Sequence, residues 1–317
     1  MNSPRSDGYY EEIDARADEL YAAGEYDGII TLLGRARAAY PGHLYEILIY
    51  TALAHLSSGN TDGFLETLEE MTGLGYFSDL SWRVFDSVRE ENRFKVLAET
   101  NNRLKEAAQK KARMDYQVVP PRGCDPGRSC PVFFALHGNG ESLEYFRHRW
   151  PEDTLTGHGY MVVYIQSSQV ACTNASGWTA DYSITRRDIL SCYEKVERQY
   201  SLDRKKTIIG GFSGGSIASI ETVMADLFPV RGFIALCPIL RPASFTPENA
   251  EKAASRGARG VILEGELEGD VPAEQEMMEI MKKAQFPFRF IVNPGKGHAF
   301  PEDFPVKLTQ ALDYILE

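Results

Sequence analysis

The sequence lacks an excess of positive charge, a long apolar run and an apolar stretch near its first residue. Its 317 residues carry 34 basic and 45 acidic side chains, a formal net charge of −11. Such a surface repels phosphate backbones, so no nucleic-acid partner is expected. No apolar run reaches the roughly 18 residues of a transmembrane helix, so no membrane span is expected. Without an apolar segment after Met1 there is no sign of a signal peptide, which predicts a cytoplasmic location.

Cysteine is also scarce. The five cysteines, Cys124, Cys130, Cys172, Cys192 and Cys237, are odd in number, and their spacings match no zinc-binding pattern. The sequence therefore predicts reduced, structural thiols and no metal or cofactor. The alternative is that Cys124 and Cys130 close a small loop in an oxidising compartment.

Residues 1–112 are predicted to form a helical accessory domain. Apolar residues recur at helical spacing, and no segment alternates like a strand. Two turns, 24–27 and 59–62, lie 35 residues apart, each between two apolar helices, and Pro41 follows the second helix. This arrangement resembles a tetratricopeptide repeat, with a further helical pair expected at 79–112.

A plain helical bundle is the alternative for this domain. In either case its apolar faces must pack on something, which is either a partner protein or the rest of this chain. The charged segment 102–114 has few apolar positions and is predicted to be a helix that bridges the two domains.

The composition changes at residue 115. Short apolar runs rich in β-branched and aromatic residues, such as PVFFALHG and GYMVVYIQSS, alternate with helical stretches. This alternation indicates a mostly parallel sheet covered by helices on both faces. Residues 113–317 are therefore predicted to be an α/β domain.

The sharpest chemical motif is the pentapeptide Gly-Phe-Ser-Gly-Gly at 211–215. It lies where the predicted strand KKTIIG ends and the helix SIASIETVMADLF begins. A serine in such a tight turn adopts a strained backbone and projects its hydroxyl above the sheet. Ser213 is therefore the predicted nucleophile. The alternative is a glycine-rich turn that only links strand to helix.

A second motif, His137-Gly138-Asn139-Gly140, directly follows the strand PVFFAL. In hydrolases with a serine at this kind of turn, one oxyanion donor comes from an early strand–helix loop. The other comes from the residue after the nucleophile. The backbone N–H groups of Asn139 and Gly214 are the predicted donors.

The predicted base is His298, in the loop GKGHAF after the last strand. It alone among the six histidines follows both Ser213 and the possible acids, which is the order Ser, acid, His of this type of triad. His43 and His55 fall in the helical part, and His148 and His158 fall between early strands.

The acid must lie between the nucleophile and the base, just past a strand end. The strand RGVILEG is followed by several carboxylates. Their spacing relative to Gly265 and Pro272 favours Glu268 as the acid. Asp270 is the rival, and Glu264 and Glu266 remain further alternatives.

In this order, the motifs make residues 115–317 resemble the phospholipase/carboxylesterase branch of the α/β-hydrolase superfamily. The resemblance implies hydrolysis of small-molecule carboxylic esters, or of thioesters, without a cofactor. It also places Trp178 either in the substrate pocket or in the core. A serine peptidase and an inert partner-binding module are the alternative functions.

Overall fold

The computed structural model describes residues 7–124, 129–269 and 271–317. The chain divides into two compact units, residues 1–111 and 112–317. Within the described ranges, no helix is both long and apolar enough to cross a membrane.

The first unit is helical, as predicted, and its described residues contain no strand. Each helix packs against the next along the chain. The α-helices are α1 (Asp7–Ala22), α2 (Tyr26–Ala36), α3 (Leu44–Ser57), α4 (Thr61–Gly73) and α5 (Asn92–Lys111). Short 3₁₀ turns occupy Pro41–His43 and Arg83–Val88. The pair of helices expected at 79–112 is therefore one 3₁₀ turn and one α-helix.

The two predicted turns have matching backbone geometry. Gly24 and Gly59 adopt φ values of 73° and 78°, which glycine reaches without steric cost. In each turn the next residue donates its N–H back to the preceding helix, from Glu25 to the Leu20 oxygen and from Asn60 to the His55 oxygen. Such helix ends satisfy carbonyls that the last helical turn leaves open.

The second unit contains a seven-stranded sheet in the order β1-β3-β2-β6-β7-β8-β9. Strand β1 pairs antiparallel with β3, and the other pairs are parallel. A separate hairpin joins β4 and β5. The strands are β1 (Asp115–Val119), β2 (Cys130–Leu136), β3 (Met161–Gln166), β4 (Gln169–Cys172), β5 (Ala175–Gly177), β6 (Leu202–Phe212), β7 (Gly232–Leu236), β8 (Arg259–Gly265) and β9 (Phe288–Asn293).

Helices follow most of these strands. They are α6 (Leu143–Arg147), α7 (Glu152–Gly157), α8 (Tyr182–Gln199), α9 (Gly214–Met224), α10 (Pro247–Ser255), α11 (Pro272–Lys283) and α12 (Phe304–Leu316). Two apolar clusters lie on opposite faces of the sheet. In β2, Phe134 joins one cluster and Phe133 the other, because successive side chains of a strand alternate. Burying each ring stabilises the fold by about 1.5–3 kcal/mol.

One cysteine prediction is wrong. Cys124 and Cys130 form a disulfide, with Cα atoms 6.0 Å apart, where reduced thiols were expected. Cys130 begins β2, so the bridge ties the preceding loop to the start of the central sheet. Spacing along the chain does not reveal whether two thiols converge, since that depends on how the loop folds.

Candidate active site

Ser213 occupies the turn between β6 and α9. Its φ of 51° and ψ of −117° lie in a region that non-glycine residues rarely adopt. Its N–H donates to the Leu236 oxygen on the neighbouring strand, at 2.8 Å. Backbone strain of this kind persists only where the surroundings enforce it, and it clusters at functional sites.

Two glycines make this turn possible. A Cβ atom on Gly211 would lie 2.1 Å from the Gly215 backbone, and one on Gly215 would lie 2.3 Å from the His137 oxygen. No side chain fits at either position. The sharp turn therefore requires glycine on both sides of Ser213, which explains the motif chemically.

His298 and Glu268 are brought together by two loops. His298 Nδ1 lies 3.5 Å from Glu268 Oε2, and their side chains are 34% and 20% exposed. The loops are joined by a hydrogen bond from the Leu267 N–H to the Lys296 oxygen, at 2.7 Å. The carboxylate thus faces the ring nitrogen that an orienting acid must hold.

The other carboxylates weighed from the sequence have different surroundings. Glu266 accepts a hydrogen bond from the Gly295 N–H at 2.8 Å, so it fixes the histidine loop. Glu264 is 3% exposed and accepts from the Gly265 N–H at 2.9 Å. Asp270 lies outside the described residues.

His298 also lies beside the nucleophile turn. Its ring centroid is 5.0 Å from that of Phe212, the residue before Ser213. Within the described part of the chain, no hydrogen bond joins the Ser213 hydroxyl to His298. Catalytic hydrogen bonds are often long or unformed without substrate.

The loop after β2 lies against the start of α9. A Cβ atom on Gly214 would be 2.2 Å from Asn139 Oδ1, so the two residues are in close contact. The Asn139 side chain is held by the Trp178 N–H and by the Thr179 hydroxyl, each at 2.8 Å. Among the described residues, the backbone N–H groups of Asn139 and Gly214 have no hydrogen-bond acceptor. Both donors remain available for a developing oxyanion.

Trp178 belongs to the core rather than to an open pocket. It is 0% exposed, and its indole N–H donates to the His137 oxygen at 2.9 Å. Of the two roles weighed from the sequence, the core role describes its position. It nevertheless supports the candidate site, because it fixes the strand end from which the loop 137–140 departs.

His137 is buried and neutral. Burial lowers its pKa to about 4, since the charged imidazole would lose its hydration. Nε2 accepts from the Ser167 N–H at 3.1 Å, and Nδ1 lies 2.6 Å from the Gly138 oxygen. The ring therefore carries its proton on Nδ1 and holds the loop 137–140 by donating to the Gly138 oxygen.

Behind the acid loop lies a buried pair of carboxyls that sequence reasoning did not find. Glu264 and Glu274 are each 3% exposed. Burial and a hydrogen bond to Glu264 raise the pKa of Glu274 to about 9. The carboxyl of Glu274 therefore keeps its proton at neutral pH. Glu274 lies on α11, past the loop that carries Glu268, so no sequence motif marks it.

Within the described residues, no group of three His, Cys, Asp or Glu side chains could hold a metal ion. Sequence comparison adds no family: no family model matches the chain, and no curated protein matches it.

Comparison with solved structures identifies the fold. An uncharacterized protein from Bacillus cereus has a TM-score of 0.54 and 20% identity, over 97% of this chain and 99% of that one. Esterase PE8 has a TM-score of 0.50 and 18% identity, over 64% of this chain and all (100%) of that one. Dipeptidyl peptidase 4 from Porphyromonas gingivalis has a TM-score of 0.50 and 17% identity, over 64% of this chain and 33% of that one. At these identities the likeness confirms the predicted α/β-hydrolase fold and leaves the activity open.

Proposed function

We propose that this protein is a serine hydrolase that cleaves carboxylic esters through an acyl-enzyme intermediate on Ser213. The observation that carries the proposal is the strained turn at Ser213, beside both the Glu268–His298 pair and two unpaired backbone N–H groups. Nucleophile, base, orienting acid and oxyanion donors are the parts that two-step acyl transfer needs.

In the first step, His298 Nε2 takes the Ser213 proton as the hydroxyl oxygen attacks the acyl carbonyl. Glu268 holds the imidazole with its proton on Nδ1 and stabilises the imidazolium. The N–H groups of Asn139 and Gly214 bind the tetrahedral oxyanion. His298 then gives the proton to the leaving alcohol.

In the second step, water replaces the alcohol. His298 removes a proton from the water, which attacks the acyl-enzyme carbonyl. The tetrahedral intermediate collapses, the carboxylic acid leaves, and Ser213 regains its proton from His298. Each step uses the same oxyanion donors, so no additional group is required.

Within the fold, we assign the chain to the phospholipase/carboxylesterase branch, and small carboxylic esters or thioesters are the proposed substrates. The experiment is a screen of the full chain against p-nitrophenyl esters, acyl-thioesters and peptide amides. Turnover of esters or thioesters well above that of amides supports the proposal. Preferential cleavage of amides would make the protein a serine peptidase, and no turnover of any class would favour an inert binding module.

We further propose that the helical unit is a tetratricopeptide-repeat-like module that binds a protein partner. The matching turns at Gly24 and Gly59 support this, because each joins the two helices of one pair in the same way. The cytoplasmic location predicted from sequence is opposed by the Cys124–Cys130 disulfide, since such bonds are rare in reducing compartments.

A further inference from the structure

The guanidinium of Arg149 contacts three segments of the chain. One contains Glu141 and Tyr145, the second contains Phe212 and the third contains Phe300. The guanidinium forms an ion pair with Glu141 and lies over three aromatic rings. The Cζ atom of Arg149 lies 5.3 Å from the ring centroid of Phe212, 5.3 Å from that of Phe300 and 5.2 Å from that of Tyr145. A guanidinium over a ring face is attracted by the negative face of the π-system.

Each of these segments carries a residue of the proposed chemistry. Phe212 directly precedes the nucleophile, and Phe300 follows His298 by two positions. The rings of Phe212 and Phe300 are themselves in contact, with centroids 4.9 Å apart. Arg149 therefore covers the junction between the nucleophile turn and the histidine loop.

The first segment includes the loop after β2, residues 137–141, which carries the proposed oxyanion donor Asn139. Glu141 binds Arg149 through Oε1, and its Oε2 accepts the Gly138 N–H at 2.6 Å. Gly138 is joined directly to Asn139, one of the two proposed oxyanion donors. The Glu141 side chain is 11% exposed and that of Arg149 is 31% exposed. Partial burial shields this ion pair from screening, unlike a pair on the open surface.

We propose that Arg149, acting through Glu141, is a positioning residue that holds the Asn139 N–H in register with Ser213 and His298. The inference rests on the proposed function. An oxyanion donor contributes only if it is held at about 2.7–3.1 Å from the oxygen in the transition state. A loop with glycine on both sides of Asn139 cannot provide that rigidity by itself. His137 and the contacts of the Asn139 side chain hold part of this loop, and the Arg149–Glu141 pair adds support at the Gly138 N–H.

The chemistry of arginine suits this task. The edge of a planar guanidinium donates to the carboxylate while its faces pack against rings. A lysine ammonium is a point charge, so it can keep the ion pair with Glu141 but not the same stacking on Phe212 and Phe300. Replacement by lysine should therefore retain part of the function, and replacement by methionine should retain only the packing of the stem.

The test compares Arg149→Met and Arg149→Lys with the wild-type chain on p-nitrophenyl butyrate. Arg147→Met is the matched control, since Arg147 lies on the same short segment and binds Gln117 and Glu152 instead. Rates, melting temperatures and inhibition by an alkylboronic acid, which mimics the tetrahedral intermediate, are measured for each. Loss of one oxyanion donor typically costs about 10²–10³ in kcat, and loss of its positioning should cost less.

We expect Arg149→Met to lower kcat by about 10- to 100-fold and to weaken the boronic acid by a similar factor. KM should stay within about threefold, because ground-state binding is untouched. Arg149→Lys should fall between Arg149→Met and wild type, and Arg147→Met should match wild type. Glu141→Gln keeps an acceptor for Gly138 without the ion pair. It should lose less than Arg149→Met, and it tests the same path if that variant does not fold.

Three results would overturn the inference. A lower melting temperature with unchanged kcat would make Arg149 purely structural. A rise in KM alone, with kcat unchanged, would make it a substrate contact. A loss of kcat in Arg147→Met as large as that in Arg149→Met would show that the effect is not specific to Arg149. If the folded wild-type protein neither turns over esters nor reacts with a fluorophosphonate, the proposed function fails and this inference with it. Wild-type turnover with unaffected Arg149 variants refutes this inference alone.

Discussion

Glu268 Oε2 and His298 Nδ1 lie 3.5 Å apart, although 30 positions separate the two residues along the chain. Strands β8 and β9 are parallel neighbours, with Gly265 paired to Asn293, so the loops that follow them leave the sheet at the same edge. A hydrogen bond from the Leu267 N–H to the Lys296 oxygen then joins the two loops. Sheet register thus determines which carboxylate can reach the histidine.

The first prediction concerns this carboxylate. Glu268→Gln should lower kcat by about 10⁴, because an amide cannot stabilise the imidazolium and disfavours the productive tautomer. The measurement is steady-state hydrolysis of the best ester. Asp270→Asn and Glu266→Gln are matched controls and should retain most of the activity. A larger loss in Asp270→Asn than in Glu268→Gln would move the acid to Asp270.

The second prediction concerns pH and the buried carboxyl of Glu274. Glu264 on β8, Glu268 in the acid turn and burial all raise its pKa, from 4.5 to about 9. Burial, and then the nearby Glu264 and Glu268, also raise the pKa of the Cys237 thiol, which follows β7. Between pH 4.5 and 9 the folded protein holds a proton that the unfolded chain has released. Stability therefore falls as pH rises through this window.

Glu274→Gln removes that proton exchange and keeps a side chain of the same size. The free energy of unfolding, measured with denaturant at several pH values, should depend less on pH in the variant than in the wild type. Glu276→Gln, an exposed change on the same helix, should keep the wild-type slope. An unchanged slope in Glu274→Gln would mean that Glu274 does not hold a proton in the folded protein over this pH range.

The third prediction concerns the two units. Every proposed catalytic residue lies in residues 113–317, and both apolar clusters of the sheet are formed within that part of the chain. A protein comprising 113–317 should therefore hydrolyse esters measurably. We expect this shorter protein to melt at a lower temperature than the full chain and to differ from it in acyl-length preference. Identical melts and preferences would make the helices an independent binding module.

Much of the site could be predicted from the sequence because its parts are local. A strand followed by Gly-x-Ser-x-Gly and a helix is visible in a few residues around Ser213, and chain order singles out His298. The contacts of Arg149 were not predictable, because Glu141, Phe212 and Phe300 converge only through the tertiary fold. An arginine that is near aromatic residues along the sequence does not by itself indicate that their side chains are in contact.

The disulfide was only the alternative prediction, and the buried acid pair was not predicted, for a related reason. Glu274 is one of several charged residues on an amphipathic helix, and only the tertiary fold, which brings it beside Glu264, buries it. Cys124 and Cys130 are close in sequence, but their pairing depends on loop geometry. Periodicity indicates which face of an element is apolar, whereas it does not indicate which polar groups will be covered by a neighbouring element.

Reaction with a fluorophosphonate tests the central claim most directly, because only an activated serine forms the covalent adduct. The folded wild-type protein should take up one equivalent, located by peptide mapping at Ser213. Ser213→Ala should take up none, keep the wild-type melt and lose about 10⁶ in kcat on the best ester. A folded wild-type protein that takes up no label, or a Ser213→Ala variant labelled as fast as the wild type, would contradict the assignment of Ser213 as nucleophile.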